Sequence, residues 1–221
     1  MSSASPGRVE TLGARRAGMS IALRGLCLAT GRSTDARDIL LEWAGAVDRG
    51  MLPNRFPDTG SAPEFNAVDA SLWFVVAAGE LLAQADTRPR LLSRAQRSRL
   101  QEAMGAILTG YTAGTRYGIR QDGDGLLAAG EPGQQLTWMD ARVDGREITP
   151  RIGKPVEIQA LWINALRTAA AFNQKWTAAA DRAEGAFGER FWNADRGCLY
   201  DVVDVDHRPG TADGTLRPNQ I

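Results

Sequence analysis

Helical periodicity is the feature of this sequence that most limits what the chain can fold into. Apolar residues recur at spacings of three and four in five segments, each bounded by residues that typically start or stop helices. The first segment begins at the capping residues Thr34 and Asp35 and stops at Gly50, and Pro155 suits the first turn of the fourth. The predicted helices cover residues 34–50, 68–85, 92–114, 155–173 and 175–193.

The segments between these helices contain almost no convincing strand. Only residues 197–206, "GCLYDVVDVD", alternate loosely enough to predict a short strand or hairpin arm. Beyond Gly118 the periodicity fails until Pro155, and a loop of that length inside a domain is usually functional or disordered. Its aromatic and aliphatic content favours a functional loop. Helices joined by polar loops suit an all-α toroid or solenoid, in which loops at one end build the site.

Composition excludes several classes of function. A hydrophobic content of 43% argues against a disordered chain, and 26 basic residues balance 26 acidic ones, so no general attraction to nucleic acid or to an anionic membrane is predicted. Cys27, Cys198 and the single histidine, His207, are too dispersed for a metal site or a Cys–His pair, and no cofactor is indicated. Without an apolar signal region or a membrane-length apolar run, the prediction is a soluble, cytoplasmic protein.

The loop before the second helix, "GMLPNRFPDTGSAPEFNAVDASLWF", concentrates amides, carboxylates and an arginine around aromatic residues. Sugar recognition uses this combination, because aromatic rings stack on the C–H face of a sugar while polar groups bind its hydroxyls. The alternative is structural: Asn66 or Asp69 caps the helix, and Arg55 pairs with Asp58. From the residues alone, the structural alternative has the greater weight.

The second loop carries Asp140 two positions after Trp138, in "QLTWMDARVDGREITPRIGKPVEIQALW". An indole beside a carboxyl group removes solvent and favours the protonated acid, as glycoside hydrolysis requires of one of its two carboxyl groups. Arg151 and Lys154 either bind sugar hydroxyls or hold Glu157 ionised. A single Asp after Trp is weak evidence by itself. The nearby "DGDGLL", residues 122–127, lacks the spacing of a calcium loop and predicts turns.

Several motifs in order resemble a known family. "LPNRFPD", "EFNAVDASLWF", "DGLLAAGEPGQQLTWMDA", "ITPRIGKPVEIQALWINAL", "RFWNADRGCLYDVVD" and "LRPNQI" resemble the C-terminal glucosidase domain of glycogen debranching enzymes, the amylo-α-1,6-glucosidase family, over residues 19–221. The resemblance implies an (α/α)6 toroid with its site in the loops at one end. It also implies inverting hydrolysis of α-1,6-linked glucose stubs on glycogen or a similar α-glucan.

The resemblance assigns roles to individual positions of this chain. The proposed general acid of the family, the Asp of its TWMD motif, falls on Asp140. Its sugar-contacting loop residues fall on Arg55, Asp58, Asn66, Asp69, Trp138, Lys154 and Glu157.

The chain departs from the family at two places. The family's entry motif, approximately W-G-R-D-T-M, is matched here by "GARRAGM", in which Arg16 is retained but Ala17 replaces the acidic residue, so residues 1–18 are expected to be divergent or disordered. The chain also stops at "RPNQI", before the segment with the proposed general base. The expectation is an incomplete, truncated toroid over residues 19–221 with little or no glucosidase activity of its own.

Two other functions fit the same residues. One is another toroid hydrolase of glucoamylase or trehalase type, which would act on maltose or trehalose rather than on branch stubs. The other is a non-catalytic glucan-binding protein that keeps the sugar-contact loops, an interpretation favoured by Ala17 and by the absent base. The sequence does not indicate an oligomeric state.

Overall fold

The computed structural model describes residues 22–54, 62–144 and 146–220, and the fold of this part is mostly helical. A π-helical turn, Arg24–Leu28, comes first. The α-helices are α1 Ser33–Ala44, α2 Asp69–Thr87, α3 Arg94–Ala113, α4 Val156–Ala170 and α5 Thr177–Phe191. Each predicted helix is therefore present among the described residues, with different ends.

The helix ends differ from the predictions for identifiable reasons. Helix α1 ends at Ala44 rather than at Gly50, because the chain turns back between Asp48 and Met51, with Arg49 and Gly50 at positive φ. Its N-cap position is Arg32, so Thr34 and Asp35 lie within the first turn instead of capping it. Helix α3 begins with a capping box in which Ser93 and Gln96 satisfy each other's backbone N–H groups. Such a box fixes the start of a helix.

The described part of the chain contains nine strands of two residues each, of which five lie between α3 and α4 and four follow α5. They are β1 Arg120–Gln121, β2 Leu127–Ala128, β3 Arg142–Val143, β4 Arg146–Glu147, β5 Lys154–Pro155, β6 Trp192–Asn193, β7 Cys198–Leu199, β8 Val202–Val203 and β9 Ala212–Asp213. Antiparallel pairs form β1–β2, β3–β4 and β6–β7, and β8 lies between β5 and β9 in a small sheet. The long segment after α3 thus contains two short hairpins, β1–β2 and β3–β4, and the predicted arm at 197–206 forms β7 and β8.

Helix α2 is the centre of the core. Most of its residues are buried, and it packs against α4, which in turn packs against α5. The approach of α2 to α4 is close because Gly79 has no side chain, and a methyl group there would overlap Thr168. A substitution at Gly79 therefore has to move the Thr168 side chain or separate the two helices that position the site described below.

Buried polar side chains attach the long loop to α4. Gln159 Nε2 donates to the Leu127 carbonyl at 2.8 Å, while its Oε1 accepts from the Leu127 N–H at 2.7 Å. Trp162 Nε1 donates to the Gly125 carbonyl at 3.0 Å. These bonds satisfy the backbone of the turn at 122–126 from within the core. The turn predicted for "DGDGLL" is therefore present and held in place by a helix.

Candidate active site

A cleft of about 390 Å³ opens between the N-terminal halves of α2 and α4. Helix α4 contributes Glu157, Ala160, Leu161 and Asn164, whose spacing of three and four residues places them in one stripe. Helix α2 contributes Asp69 and Trp73, which lie one turn apart. The other lining residues are Arg24, Trp138 and Asn219. The cleft thus combines two tryptophan rings with carboxyl, amide and guanidinium groups.

The start of α2 is fixed on two sides, and this positions Asp69 at the cleft. The Val68 N–H donates to the Leu136 carbonyl at 2.9 Å, which joins α2 to the loop that carries Trp138. The buried Tyr111 hydroxyl donates to the Val68 carbonyl at 2.9 Å. Burial raises the pKa of this hydroxyl, so it remains a neutral donor. The first turn of α2 and the Trp138 loop are therefore held side by side.

Asp69 is the buried acid of the cleft, with a relative exposure of 6%. Burial raises its pKa to about 6, and the charges of Glu157 and Asp140 also raise it. Hydrogen bonds from the N–H groups of Asp69 and Ala70 act in the opposite direction and lower the pKa. Because this pKa lies above the ordinary aspartate value, the protonated form is favoured on folding. Its contribution to stability is present at low pH and is lost as pH rises through about 6.

Glu157 is bound through both of its side-chain oxygens by Arg151. Arg151 Nη2 donates to Glu157 Oε2 at 2.6 Å, and Nη1 donates to Oε1, which makes the contact bidentate. The side chain of Arg151 is only 1% exposed. Burial pulls its pKa down, but the hydrogen bonds and charges of Glu157 and Asp201 outweigh burial, so the pKa is raised. Of the two roles predicted for Arg151, the geometry matches the holding of Glu157.

Asp201 is the second partner of Arg151 and is fully buried. It accepts from Arg151 Nε and Nη2, both at 2.9 Å, and also from Arg217 Nη1. Asn219 Nδ2 donates to Asp201 Oδ1 at 3.2 Å. These bonds join Asp201, the residue before β8, to the segment that contains Arg217 and Asn219.

Asp140 lies in the irregular segment after Trp138 and is half-buried. It is not among the residues that line the cleft, although its charge contributes to the raised pKa of Asp69. Trp138 is 54% exposed, and its indole N–H donates to Asn219 Oδ1 at 2.8 Å. Asp69, Asp140, Trp138 and Glu157 are therefore the predicted site residues that the fold brings into one neighbourhood.

The other predicted sugar-contacting residues lie elsewhere. Arg55 and Asp58 fall outside the described residues, as do Arg16 and Ala17. Asn66 does not line the cleft. Its Oδ1 accepts from Asn54 Nδ2 at 3.1 Å, so the side chain of Asn66 is bonded to a neighbouring amide.

Lys154 also lies away from the cleft, in a buried ionic cluster. Its side chain is 3% exposed, and Nζ contacts Asp122, Asp124 and Asp204 at 3.1, 2.8 and 2.9 Å. Arg190 donates to Asp124 and to Asp204 Oδ1, the latter at 2.6 Å. Burial opposes the charge on Lys154, but bonds to these carboxylates outweigh it and raise the lysine pKa. With its ammonium surrounded by carboxylates, Lys154 has no donor directed at the cleft.

Besides Ala160 and Leu161, four polar or aromatic lining residues were not among the predicted site residues: Arg24, Trp73, Asn164 and Asn219. Arg24 Nε donates to Glu80 Oε1 at 2.8 Å, and its guanidinium lies 5.7 Å from the Trp73 ring centroid, a cation–π contact. Asn164 lies two turns beyond Glu157, so helical spacing alone could have located it. Asn219 belongs to the "RPNQI" motif, but its approach to Trp138 depends on tertiary folding.

An aromatic cleft with several carboxyl groups on a helical scaffold is typical of a carbohydrate-active protein. A family model described as amylo-alpha-1,6-glucosidase matches residues 16–221, so the chain belongs to that family. A glycogen debranching enzyme of Saccharomyces cerevisiae (strain ATCC 204508 / S288c) is 28% identical over 198 residues. That match covers 66% of this chain and 13% of the relative, so the chain corresponds to a small part of the yeast protein. No helix in the described ranges is long and apolar enough to cross a membrane.

Proposed function

We propose that the cleft binds the terminal glucose of an α-1,6-linked branch stub on a glycogen-like glucan. The observation that carries this proposal is the placement of Trp73 and Trp138 in the same cleft as Asp69 and Glu157. An indole face packs on the C–H face of a pyranose, while carboxylates accept from its hydroxyls. Family membership supplies the substrate class, because the matched family is that of amylo-α-1,6-glucosidases.

In the proposed complex each cleft residue has a separate task. Glu157, oriented by Arg151, accepts hydroxyl hydrogen bonds, and the Asn164 side chain adds a neutral amide at the same wall. Arg55, Asp58 and Asn66 are proposed to contact the sugar from the preceding loop. We leave Lys154 out of this set because its ammonium is enclosed by aspartates. The proposed scaffold is the (α/α)6 toroid of the family.

The proposed chemistry is inverting hydrolysis with Asp140 as the general acid. The acid gives its proton to the glycosidic oxygen as the bond to C1 breaks, while a water molecule attacks C1 from the opposite face. That water needs a second carboxylate, at roughly 6.5 to 9.5 Å from the acid, to accept its proton. Asp69 is the alternative acid, since it lines the cleft with a pKa of about 6.

Neither carboxyl group that lines the cleft is well suited to activate water. Both oxygens of Glu157 are bound by Arg151, and Asp69 is buried and accepts from the N–H groups of Asp69 and Ala70 at the start of α2. We therefore propose that the 221-residue chain binds the sugar but turns it over slowly. This proposal also accommodates a glucan-binding function without catalysis.

Adding azide to the chain tests this proposal, because azide attacks C1 without needing a base. With α-glucosyl fluoride as the substrate, azide displaces fluoride with inversion, and the carbon–fluorine bond breaks as the carbon–nitrogen bond forms. We expect little free glucose from branched limit dextrin, and azide-dependent formation of β-glucosyl azide from the fluoride. Mass spectrometry and proton NMR identify the product and its anomeric configuration.

Each alternative outcome has a defined meaning. Free glucose released from limit dextrin without azide would overturn the slow turnover proposed for the chain. Sugar binding without any glucosyl azide would leave a glucan-binding protein and remove the glucosidase chemistry. An α-configured azide product would contradict the inverting mechanism.

A further inference from the structure

Asn219 bonds to three side chains from separate parts of the chain. Its Oδ1 accepts from the Trp138 indole N–H at 2.8 Å, while its Nδ2 donates to Asp201 Oδ1 at 3.2 Å. The same Nδ2 lies 3.8 Å from the sulfur of Met139. The Asn219 amide therefore uses its acceptor and its donor on two different neighbours, and one of them is fully buried.

The Asp201 end of this connection is rigid. Asp201 is bound by the buried Arg151 and by Arg217, its N–H donates to the Asp213 carbonyl at 2.8 Å, and its carbonyl accepts from the Val156 N–H at 2.9 Å. These bonds fix Asp201 against the first residue of α4. An amide hydrogen-bonded to such a group has little freedom to rotate.

The Trp138 end, by contrast, has few other restraints of its own. The ring is 54% exposed and lies in a segment without regular secondary structure. A large exposed side chain on irregular backbone samples several rotamers unless a directional bond selects one. The bond to Asn219 is of that kind, and it acts two residues before Asp140.

We propose that Asn219 is a positioning residue that fixes the Trp138–Asp140 segment against the buried Asp201 centre. Asn219, in the short 3-10 turn Pro218–Gln220, then contributes to the cleft lining and also determines the geometry of the proposed acid. The consequence for sugar binding rests on the proposed function. The positioning of Trp138 does not, so the two are tested by different measurements.

The first measurement follows the indole N–H signals of the six tryptophans in nitrogen–proton correlation spectra of the chain without sugar. Trp138→Phe assigns the Trp138 signal. Asn219→Ala is expected to move that signal toward the position of a water-bonded indole and to speed its exchange with solvent at least about tenfold. The matched control, Asn164→Ala, changes an asparagine of the same cleft whose Oδ1 accepts from Thr168 instead.

An unchanged Trp138 signal in Asn219→Ala would overturn the proposal, as would an equal shift in Asn164→Ala. If Asn219→Ala fails to fold, the same bond is tested by removing its other partner. The Asn219 side-chain amide signals of the wild-type chain are compared with those of Trp138→Phe. Amide signals that are identical in the two proteins would contradict the proposal.

The second measurement is a double-mutant cycle on the affinity for isomaltose, an α-1,6-linked glucose disaccharide. Asn219→Ala is expected to weaken binding about tenfold in the wild-type background, and less than about twofold when Trp138 is already phenylalanine. Equal losses in both backgrounds would show that Asn219 does not act through Trp138. If isomaltose does not bind at all while the indole signals behave as expected, the proposed function fails and the positioning of Trp138 stands.

Discussion

Replacing Lys154 by methionine is expected to lower the free energy of unfolding by about 3 to 5 kcal/mol. The substitution preserves most of the side-chain volume but removes the ammonium that Asp122, Asp124 and Asp204 surround. Arg190 stays in contact with Asp124 and Asp204, but no cation then remains at the buried centre of the cluster. Urea unfolding followed by circular dichroism measures the loss.

The loss is expected to depend on pH in one direction. Burial alone would raise the pKa of Asp204, but hydrogen bonds from Arg190 and Lys154 lower it to about 2. A carboxylate with a lowered pKa contributes stability above its unfolded pKa of about 4, and that contribution disappears as pH falls toward the folded value. The difference between wild type and Lys154→Met should therefore be largest above pH 5 and shrink below pH 4.

Lys175→Met is the matched control for this experiment. Lys175 is exposed and lies 4.6 Å from the Trp176 ring centroid, so its removal should change stability by less than about 1 kcal/mol. If Lys154→Met costs no more than this control, Lys154 is not the centre of a structural cluster. Its predicted role in sugar contact would then regain support.

Replacing Asp140 by asparagine is expected to lower cleavage of α-1,6-linked glucose by about 10²- to 10⁴-fold, the usual contribution of a general acid. Asparagine has nearly the same shape but cannot give a proton to the glycosidic oxygen. The reaction is measured on branched limit dextrin in the presence of azide, so that water activation does not limit the rate. Isomaltose affinity should change by less than about threefold.

α-Glucosyl fluoride separates loss of the acid from general damage to the site. Fluoride leaves without protonation, so Asp140→Asn should keep most of the azide-dependent rate on this substrate. Asp69→Asn is the comparison, because Asp69 is the other candidate acid of the cleft. If Asp69→Asn alone shows selective loss on limit dextrin, Asp69 is the acid and the assignment of Asp140 is wrong.

The helices were predictable from sequence because their periodicity is local. The ends of the helices were less predictable. Gly50 is a typical helix stop, yet α1 ends at Ala44 because the chain reverses direction at Asp48–Met51. That reversal depends on packing against α3. The hairpins after α3 gave little periodic signal. Two-residue strands have almost no alternation to detect, and in the β1–β2 hairpin backbone groups of Gly125 and Leu127 are bonded to Trp162 and Gln159 of a distant helix.

Only part of the candidate site was predictable from the sequence, because several of its residues meet through tertiary contacts. The motif resemblance assigned both Asp69 and Trp138 to the site. Nothing in the sequence indicated the Val68–Leu136 hydrogen bond, which brings the two residues together. From the sequence, a lysine close to a proposed sugar site is expected to donate hydrogen bonds to sugar hydroxyls. Only the fold places Lys154 among three aspartates, Asp122, Asp124 and Asp204, which lie about 30 to 50 positions away in the sequence. The contact of Asn219 with Trp138 is likewise a tertiary feature.

If the cleft around Asp69, Trp138 and Glu157 is the glucose site, as we propose, isomaltose should bind against its two tryptophan rings. Titration of the chain with isomaltose, followed by the six tryptophan indole signals, measures this binding. Trp192 is an internal control, because its exposure of 56% matches the 54% of Trp138 although it does not line the cleft. We expect saturable shifts at Trp73 and Trp138, with affinity about tenfold weaker in Trp138→Ala and unchanged in Trp192→Ala. Shifts that are largest at Trp192, or equal affinities for the two variants, would contradict this proposal.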